Sequence, residues 1–453
     1  MASGTFTEGK ILQPLLKFAI PVIMALFLQS LYGAVDLLIV GHYATSADVS
    51  AVSTGAQILS TVTNVIAGLS MGTTILLGQL LGEGKPREAG KAVGASIVFF
   101  ILVAAALSVL MLLNIERVAS IMNAPAEAFE GTCSYLTICS AGLFFITAYN
   151  LLGSLFRGLG NSRIPLLSVA VAAVINIFGD IFAVKYLGLG SAGAAYATVI
   201  SQGFSVIFSL IIITKIKLPF EFKKSDIRFK GSIIRRVVNF GFPLALSDLL
   251  VGLSFLVILA IVNSLGVTVS AGVGVAGKVT GFIMLIPAAF GQSMASFVSQ
   301  NYGAGKMDRA NKCLAYGIGV SLACGLFMAW LSFFNGGVLC EIFSSDSEVV
   351  YMGWEYMKAY SFDCILTSFF FCLTGYFNGC GYTKFVMAQG MIGAFLVRIP
   401  VSWIMSRQVP VSLFKIGLAT PCSSLVQTIL CVSYYFIVRK KLMAESANAV
   451  TKA

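Results

Sequence analysis

Long apolar runs alternate with short polar turns along almost the whole chain. The runs reach about 20 residues or more, and a helix of that length crosses the roughly 30 Å hydrocarbon core of a bilayer. Segments of about ten residues with alternating polarity, typical of a membrane β-barrel, do not occur. The pattern predicts an all-α polytopic membrane protein with twelve transmembrane helices, at approximately residues 13–40, 50–81, 91–113, 132–155, 164–186, 190–214, 237–264, 270–300, 311–335, 350–377, 384–406 and 413–438.

The two halves of the chain carry related sequences in the same order. Residues 79–85 (QLLGEGK) recur as residues 300–306 (QNYGAGK), 221 positions later, and the same offset relates residues 157–160 (RGLG) to residues 378–381 (NGCG). Matched segments of this kind are typical of transporters built from internal structural repeats. The twelve helices are therefore predicted to form two pseudo-symmetric six-helix bundles.

The longest polar stretch separates these halves. The predicted organisation is an N-lobe with helices 1–6 at residues 1–214, a basic linker at 215–236, a C-lobe with helices 7–12 at 237–438, and a tail at 439–453. Lysine and arginine concentrate in the linker, in the tail and in the loops after the second and eighth helices. Positive charge marks the cytoplasmic side, so the linker, the tail and both termini are expected to lie on the cytoplasmic side of a plasma membrane.

Composition agrees with a membrane-embedded chain. Hydrophobic residues make up 58% of the 453 residues and charged residues 11%, whereas a soluble protein carries about 25% charged residues. Because the basic residues follow the membrane topology, the net charge of +11 indicates orientation in the membrane rather than a nucleic-acid partner. The basic linker is also expected to contact anionic lipid headgroups. No obligate protein partner is evident from the sequence.

Motifs for catalysis or cofactor binding are missing or lack their context. Residues 188–193 match G-x-G-x-x-G, but a transmembrane span precedes them and no acidic residue follows about 20 positions on, as dinucleotide binding requires. His42 is the only histidine, and the sequence has no phosphate loop, serine nucleophile elbow, zinc motif or Cys-x-x-Cys. The chain is therefore not expected to be an enzyme or to carry a cofactor.

Two carboxylates lie inside predicted spans of the first half, Asp36 in the first and Asp180 in the fifth. A charge at the bilayer centre costs roughly 2.5–3.5 kcal/mol on insertion scales, so such residues usually face a cavity or a partner. Asn176 shares a helix face with Asp180, and Thr198 adds a hydroxyl from the next span. These oxygens suit a hard cation such as Na⁺; alternatively, one carboxylate takes up a proton, or the polar residues contact lipid headgroups near a helix end.

The second half differs from the first at the matching positions. Position 258, which matches Asp36 at the 222-residue spacing of Pro21 and Pro243, is isoleucine. The charged residues at membrane depth in this half are Asp248, Lys278, Asp363 and Arg398. An ion pair between one of the two basic residues and one of the two acids would have a structural role. The cation chemistry is therefore expected in the first half.

A proline lies near the start of the first span of each half, Pro21 and Pro243. Proline removes one backbone hydrogen bond and crowds the carbonyl four residues earlier, which for Pro21 belongs to Lys17. A kink is therefore predicted at both sites. The kink is either static or a point at which the helix bends during function.

Several motifs follow one another along nearly the whole chain: Pro21, residues 35–42 (VDLLIVGH), 78–84 (GQLLGEG), 157–162 (RGLGNS), 291–292 (GQ) and 300–305 (QNYGAG). In this order they resemble the multidrug and toxic compound extrusion (MATE) transporters of bacteria. The resemblance implies twelve helices in two six-helix lobes, a V-shaped central cleft, and antiport of organic cations against Na⁺ or H⁺.

The resemblance also implies roles for individual residues. By resemblance, the family's N-lobe cation site corresponds here to Asp36, Asn176, Asp180 and Thr198, with Asn150 near that set. The first four are candidate ligands of Na⁺. Pro21 looks like the family's bending proline. Many members carry a glutamate in the seventh span, which this chain lacks; Asp248 lies close but earlier, so a C-lobe cation site is not implied.

The preferred hypothesis is a secondary active exporter of cationic, amphipathic small molecules, driven by inward flow of Na⁺ or H⁺. A lipid-linked oligosaccharide flippase of a related superfamily is an alternative, against which twelve spans and acidic N-lobe residues argue. A membrane-embedded enzyme is a third, and would need a cluster of catalytic groups that the sequence does not show.

Overall fold

A computed structural model describes the backbone of residues 6–450 and the side chains of residues 6–439. The first half contains α1 (Leu12–Tyr43), α2 (Ser46–Gly82), α3 (Pro86–Leu112), α4 (Ile115–Ile121), α5 (Ala126–Ala141), α6 (Leu143–Gly158), α7 (Arg163–Asp180) and α8 (Gly190–Lys215). The second contains α9 (Gly231–Asn263), α10 (Val267–Ile283), α11 (Leu285–Gly303), α12 (Met307–Glu341), α13 (Ser347–Gly379), α14 (Thr383–Met391), α15 (Ile399–Ser406), α16 (Leu413–Gly417) and α17 (Ala419–Val450).

The described helices confirm the all-α membrane fold. Eleven helical spans are long and apolar enough to cross a bilayer, and a twelfth results when α5 and α6, bent by 53°, count as one span. The bend lies at Gly142, where a Cβ atom would overlap the Val199 side chain. Two spans also contain π-helical segments, Ile181–Tyr186 after α7 and Ile392–Arg398 between α14 and α15. The sequence pattern predicted the spans but not these interruptions.

By its internal contacts the chain divides into two compact units. Of the described residues, the first unit contains Ile20–Ala245 and the second contains residues 6–19 and 246–450; residues 1–5 and 451–453 lie outside the described part. The division therefore falls inside α1 and inside α9 rather than at the linker. The predicted lobe limits follow the sequence repeat and stay a prediction; the end of the predicted tail at 439–453 lies outside the described residues.

In the second unit, the segment that leads into α1 is held by side chains of α11 and α12. The Phe6 ring stacks on Phe297 with centroids 4.8 Å apart and meets Phe18 edge-on at 5.4 Å. The Arg309 guanidinium donates to the carbonyl oxygens of Phe6, Glu8 and Gly9 at 2.8, 2.7 and 2.6 Å. These contacts fix the leading part of α1 within the second unit.

In the first unit, the segment that leads into α9 is held in a related way. Arg87, at the start of α3, donates to both carboxylate oxygens of Asp226 and to the Glu221 carbonyl oxygen. The leading part of α9 then packs so closely on α2 that a Cβ atom at Gly72 would overlap the Val237 carbonyl oxygen. Arg87 and Arg309, which are 222 positions apart, thus each hold the segment that precedes the first helix of the opposite sequence half.

Candidate functional site

Four of the site residues predicted from the sequence lie on three helices of the first unit. Asp36 belongs to α1, Asn176 and Asp180 to the last turn of α7, and Thr198 to α8. Small residues bring α7 and α8 together, since a Cβ atom at Gly179 would lie 3.0 Å from that of Ala197. Close backbone approach of this kind is the usual role of small residues between membrane helices.

The structure brings Asp36, Asn176 and Asp180 into one cluster. Asn176 and Asp180 are fully buried and Asp36 is 7% exposed. The Asp36 carboxyl group interacts directly with the carboxyl group of Asp180 and with the Asn176 amide group. Nevertheless, both Asp180 oxygens, Asp36 Oδ1 and Asn176 Oδ1 lack a well-formed hydrogen bond. The cluster therefore contains several buried oxygen atoms that can accept a hydrogen bond or bind a cation.

No basic side chain among the described residues forms an ion pair with this cluster. Within the described chain, the ion pairs are Lys85–Glu83, Arg87–Asp226 and Lys358–Glu355, and none of them includes Asp36 or Asp180. Two neighbouring carboxylates cannot both stay charged in an apolar interior unless a cation or a proton lies with them. The arrangement is thus suited to hold one monovalent cation or one proton.

The helix that carries Asp180 changes its winding directly after this residue. Residues Ile181–Tyr186 form a π-helical turn, in which the Leu187 N–H donates to the Phe182 carbonyl oxygen at 3.1 Å. Local π-helical turns inside membrane helices are frequent at functional sites, because they reorient side chains next to the break. Asp180 is the last residue before this turn and so lies directly beside a local change of helix geometry.

Thr198 and Asn150 are also buried, at 8% and 9% exposure. The Thr198 hydroxyl lies beside the Tyr135 phenol, and its Oγ1 lacks a well-formed hydrogen bond. Asn150, on α6, donates through Nδ2 to the Ile146 carbonyl oxygen at 2.8 Å, within its own helix. Membership of Asn150 and Thr198 in one ligand set with Asp36 stays a prediction.

Three residues near the cluster were not predicted from the sequence: Tyr32, Gln202 and Tyr135. Tyr32 precedes Asp36 by one helical turn and Gln202 follows Thr198 by one turn, so each shares a helix face with a predicted residue. The Gln202 amide donates to the Tyr32 hydroxyl at 3.4 Å. Tyr135 reaches the cluster from α5 and interacts with both Thr198 and Asp36. The i, i+4 spacing was the available signal for the first two.

The charged residues of the second half do not form the structural ion pairs considered from the sequence. Across the described residues, no nitrogen of Lys278 or Arg398 lies within 4.0 Å of a carboxylate oxygen of Asp248 or Asp363. Lys278 instead lies over the Phe343 ring at 5.8 Å, and Asp248 is exposed. The ion-pair expectation is therefore wrong for this part of the chain. Nor do the described residues contain a group of three or more His, Cys, Asp or Glu that could hold a metal ion.

Comparison with known proteins places this chain in a family. The family profile described as MatE matches the chain twice, at residues 21–182 and 243–404. Its curated relatives include the probable multidrug resistance protein YpnP of Bacillus subtilis, 26% identical over 98% of this chain and 99% of its own. The multidrug export protein MepA of Staphylococcus haemolyticus is 22% identical over 98% of both chains.

Solved structures agree on the fold. A crystal structure of MATE in complex with MaL6 superposes with a TM-score of 0.90, at 19% identity, over 98% of this chain and 99% of that one. The outward-facing conformation of a multidrug resistance MATE family transporter superposes with a TM-score of 0.91, at 18% identity, over 98% of both. The two profile matches have equal length, which confirms that the chain consists of two related halves.

Proposed function

Because this chain belongs to the MATE family of multidrug efflux transporters, which are multi-pass membrane proteins and not enzymes, we propose that it exports cationic, amphipathic compounds in exchange for Na⁺ or H⁺. The observation that carries this proposal is the buried pair Asp36 and Asp180 with its unpaired oxygen atoms. The site consists of Asp36, Asn176, Asp180 and Thr198, with Asn150 on the adjacent α6.

The coupling ion neutralises the acidic cluster. With both carboxylates charged, the cluster is unstable in its apolar surroundings; one bound Na⁺ or one proton relieves the repulsion. Inward movement of that single charge across 100 mV supplies about 2.3 kcal/mol. Coupling requires that the loaded and the empty cluster favour different helix conformations, because a ligand shifts a conformational equilibrium only through differential affinity.

Pro21 provides a point at which α1 can change shape. The helix runs continuously from Leu12 to Tyr43 with Pro21 inside it. The division between the compact units falls between Ala19 and Ile20, directly beside this proline. A bend at Pro21 would therefore move the part of α1 that carries Asp36 relative to its anchored leading part.

The orientation follows from charge. In this proposal the protein lies in a bacterial plasma membrane with both termini, the linker at 215–236 and the tail on the cytoplasmic side. Lysine and arginine concentrate in these segments, as expected for cytoplasmic parts of a membrane protein. The linker also lies against anionic lipid headgroups. The flippase alternative is less well supported, because its substrate is an anionic pyrophosphate and the buried cluster is acidic.

The test is a flux assay with the purified protein in liposomes. An imposed Na⁺ gradient or proton gradient, applied separately, should drive accumulation of a fluorescent organic cation such as ethidium. Export that follows one gradient identifies the coupling ion. Ethidium movement that ignores both gradients, with the same protein shown to be folded, would refute the antiport proposal.

A further inference from the structure

The second unit contains a cavity of about 590 Å³. It is lined by residues of α9, α10, α13 and α17 and of the π-helical segment Ile392–Arg398. Aromatic and aliphatic side chains form most of its wall, and a few polar groups converge on it, which is typical of a small-molecule site. Its two charged residues are Asp363 and Arg398.

This cavity occupies the position in the second half that the acidic cluster occupies in the first. The two family matches are related by an offset of 222 residues, from 21 to 243 and from 182 to 404. By that offset Ile258 replaces Asp36 and Arg398 replaces Asn176, and both Ile258 and Arg398 line the cavity. The second half therefore has a cavity and a guanidinium group at the positions that correspond to Asp36 and Asn176 of the first half.

Arg398 is built into the cavity wall with unused hydrogen-bonding capacity. It is 5% exposed, its Nη1 donates to Ser254 Oγ at 3.0 Å, and its guanidinium stacks over the Phe255 ring at 4.4 Å. Its Nε has no acceptor among the described residues. A buried guanidinium with an unsatisfied N–H favours an acceptor that also balances its charge, and a carboxylate does this and matches its planar fork.

Asp363 gives the same cavity a negative group. It is 1% exposed and lies beside Ser424, and its Oδ1 is unpaired within the described chain. It is close enough to Arg398 to interact through space, yet no nitrogen and oxygen of the two approach within 4.0 Å. The two opposite charges thus face one cavity without neutralising each other by direct contact.

We propose that this cavity binds a zwitterionic amphiphile, with its carboxylate on Arg398, its ammonium group on Asp363, and its apolar body against Phe255, Phe370 and Phe371. The proposal rests on the proposed export function and adds zwitterions, as a second class of substrate, to the cationic compounds proposed above. A simple cation would be repelled by the Arg398 guanidinium, and a simple anion would be repelled by the Asp363 carboxylate. A molecule that carries both charges satisfies both groups at once.

The experiment measures equilibrium binding to the purified full-length protein with three fluorescent probes of similar size. Nε-dansyl-lysine is a zwitterion, its methyl ester is a cation, and its Nα-acetyl derivative is an anion. The wild-type protein is expected to bind the zwitterion at least about tenfold more tightly than either derivative, as expected for buried charge-assisted contacts. Equal or tighter binding of the methyl ester would overturn the proposal, and this comparison requires no variant.

Two variants locate the site. Arg398→Gln should weaken binding of the zwitterion to the level of the methyl ester, and Asp363→Asn should weaken it to the level of the acetyl derivative. The matched control is Arg407→Gln, because Arg407 stacks on Trp403 at 4.3 Å just as Arg398 stacks on Phe255, but is exposed and outside the cavity. Unchanged binding by a folded Arg398→Gln protein would contradict the assignment.

The result is independent of the antiport proposal because no gradient is applied. Zwitterion binding that depends on Arg398, in a protein that shows no cation-coupled flux, would support the cavity and overturn the proposed function. Cation-coupled flux in a protein without zwitterion preference would do the reverse.

Discussion

The Arg87 guanidinium donates to both carboxylate oxygens of Asp226, at 2.6 and 2.8 Å, and so joins the start of α3 to the linker. Asp226 also accepts from the backbone N–H of Lys223 at 2.8 Å. Bidentate arginine–carboxylate pairs have a fixed geometry that single-point pairs lack. The linker is therefore an ordered element of the first unit at this point.

This pair gives the linker a defined response to acid. The Arg87 guanidinium lowers the pKa of Asp226 from 3.8 to about 2. A carboxylate whose pKa is lowered on folding contributes stability that is present above pH 3.8 and is lost as the pH falls through about 2. Linker attachment should therefore weaken over that range, and Asp226→Asn should remove this part of the pH dependence. Thermal unfolding of both proteins across the range is the measurement; identical pH profiles would contradict it.

The two arginines that hold the leading segments should act independently. Arg309→Gln should expose the bond after Lys10 to trypsin, and Arg87→Gln should expose the bonds after Lys223 and Lys224. Losing charge-assisted hydrogen bonds should speed local cleavage by about tenfold, since cleavage follows the population of the open form. Mass spectrometry of timed digests distinguishes the two sites, and each variant is the control for the other. Faster cleavage of both segments in either variant would contradict separate anchoring.

Neutralising the acidic cluster should abolish coupling. Asp36→Asn keeps the volume of the side chain but removes the charge that binds the ion, so cation-driven export should fall below about a tenth of wild type, the loss expected for a buried charged contact. Asn176→Ala, Asp180→Asn and Thr198→Ala should weaken the cation dependence more than the apparent substrate affinity. Transport by liposomes gives both quantities. Ser402→Ala is the control, because Ser402 matches Asp180 in the second half. Wild-type coupling in the Asp36→Asn protein would contradict the proposed cation site.

Replacing the proline of α1 should slow turnover without removing the cation site. Pro21→Ala restores the missing N–H and favours a straight helix by roughly 3 kcal/mol, which is enough to bias a two-state cycle strongly. Pro243→Ala should do less harm, because Ile258 stands where the first half has Asp36. Transport rate and equilibrium cation binding of both variants are compared. Equal loss of transport in the two would argue against a mechanism centred on the first half.

The sequence predicted the spans because burial in lipid requires unbroken apolar runs, and Asp36 and Asp180 stood out because charge is costly there. It could not predict Tyr135 as a neighbour of the site, since that contact depends on how α5 packs. Nor could it predict the 53° bend between α5 and α6. The sequence repeat set the lobe limits at the linker, whereas the contacts of the leading segments depend on long-range hydrogen bonds that no local pattern encodes.

The anchoring of residues 6–19 has a consequence for biogenesis. Phe6 packs on Phe297, and Arg309 holds the carbonyl groups around it. When this segment leaves the ribosome, these partners, about 290 residues later in the chain, have not yet been synthesised. The first helix must therefore enter the membrane with its leading end unpacked and wait for the second half before it reaches its final contacts. A chain cut at the linker would keep the acidic cluster but never complete that end of the helix.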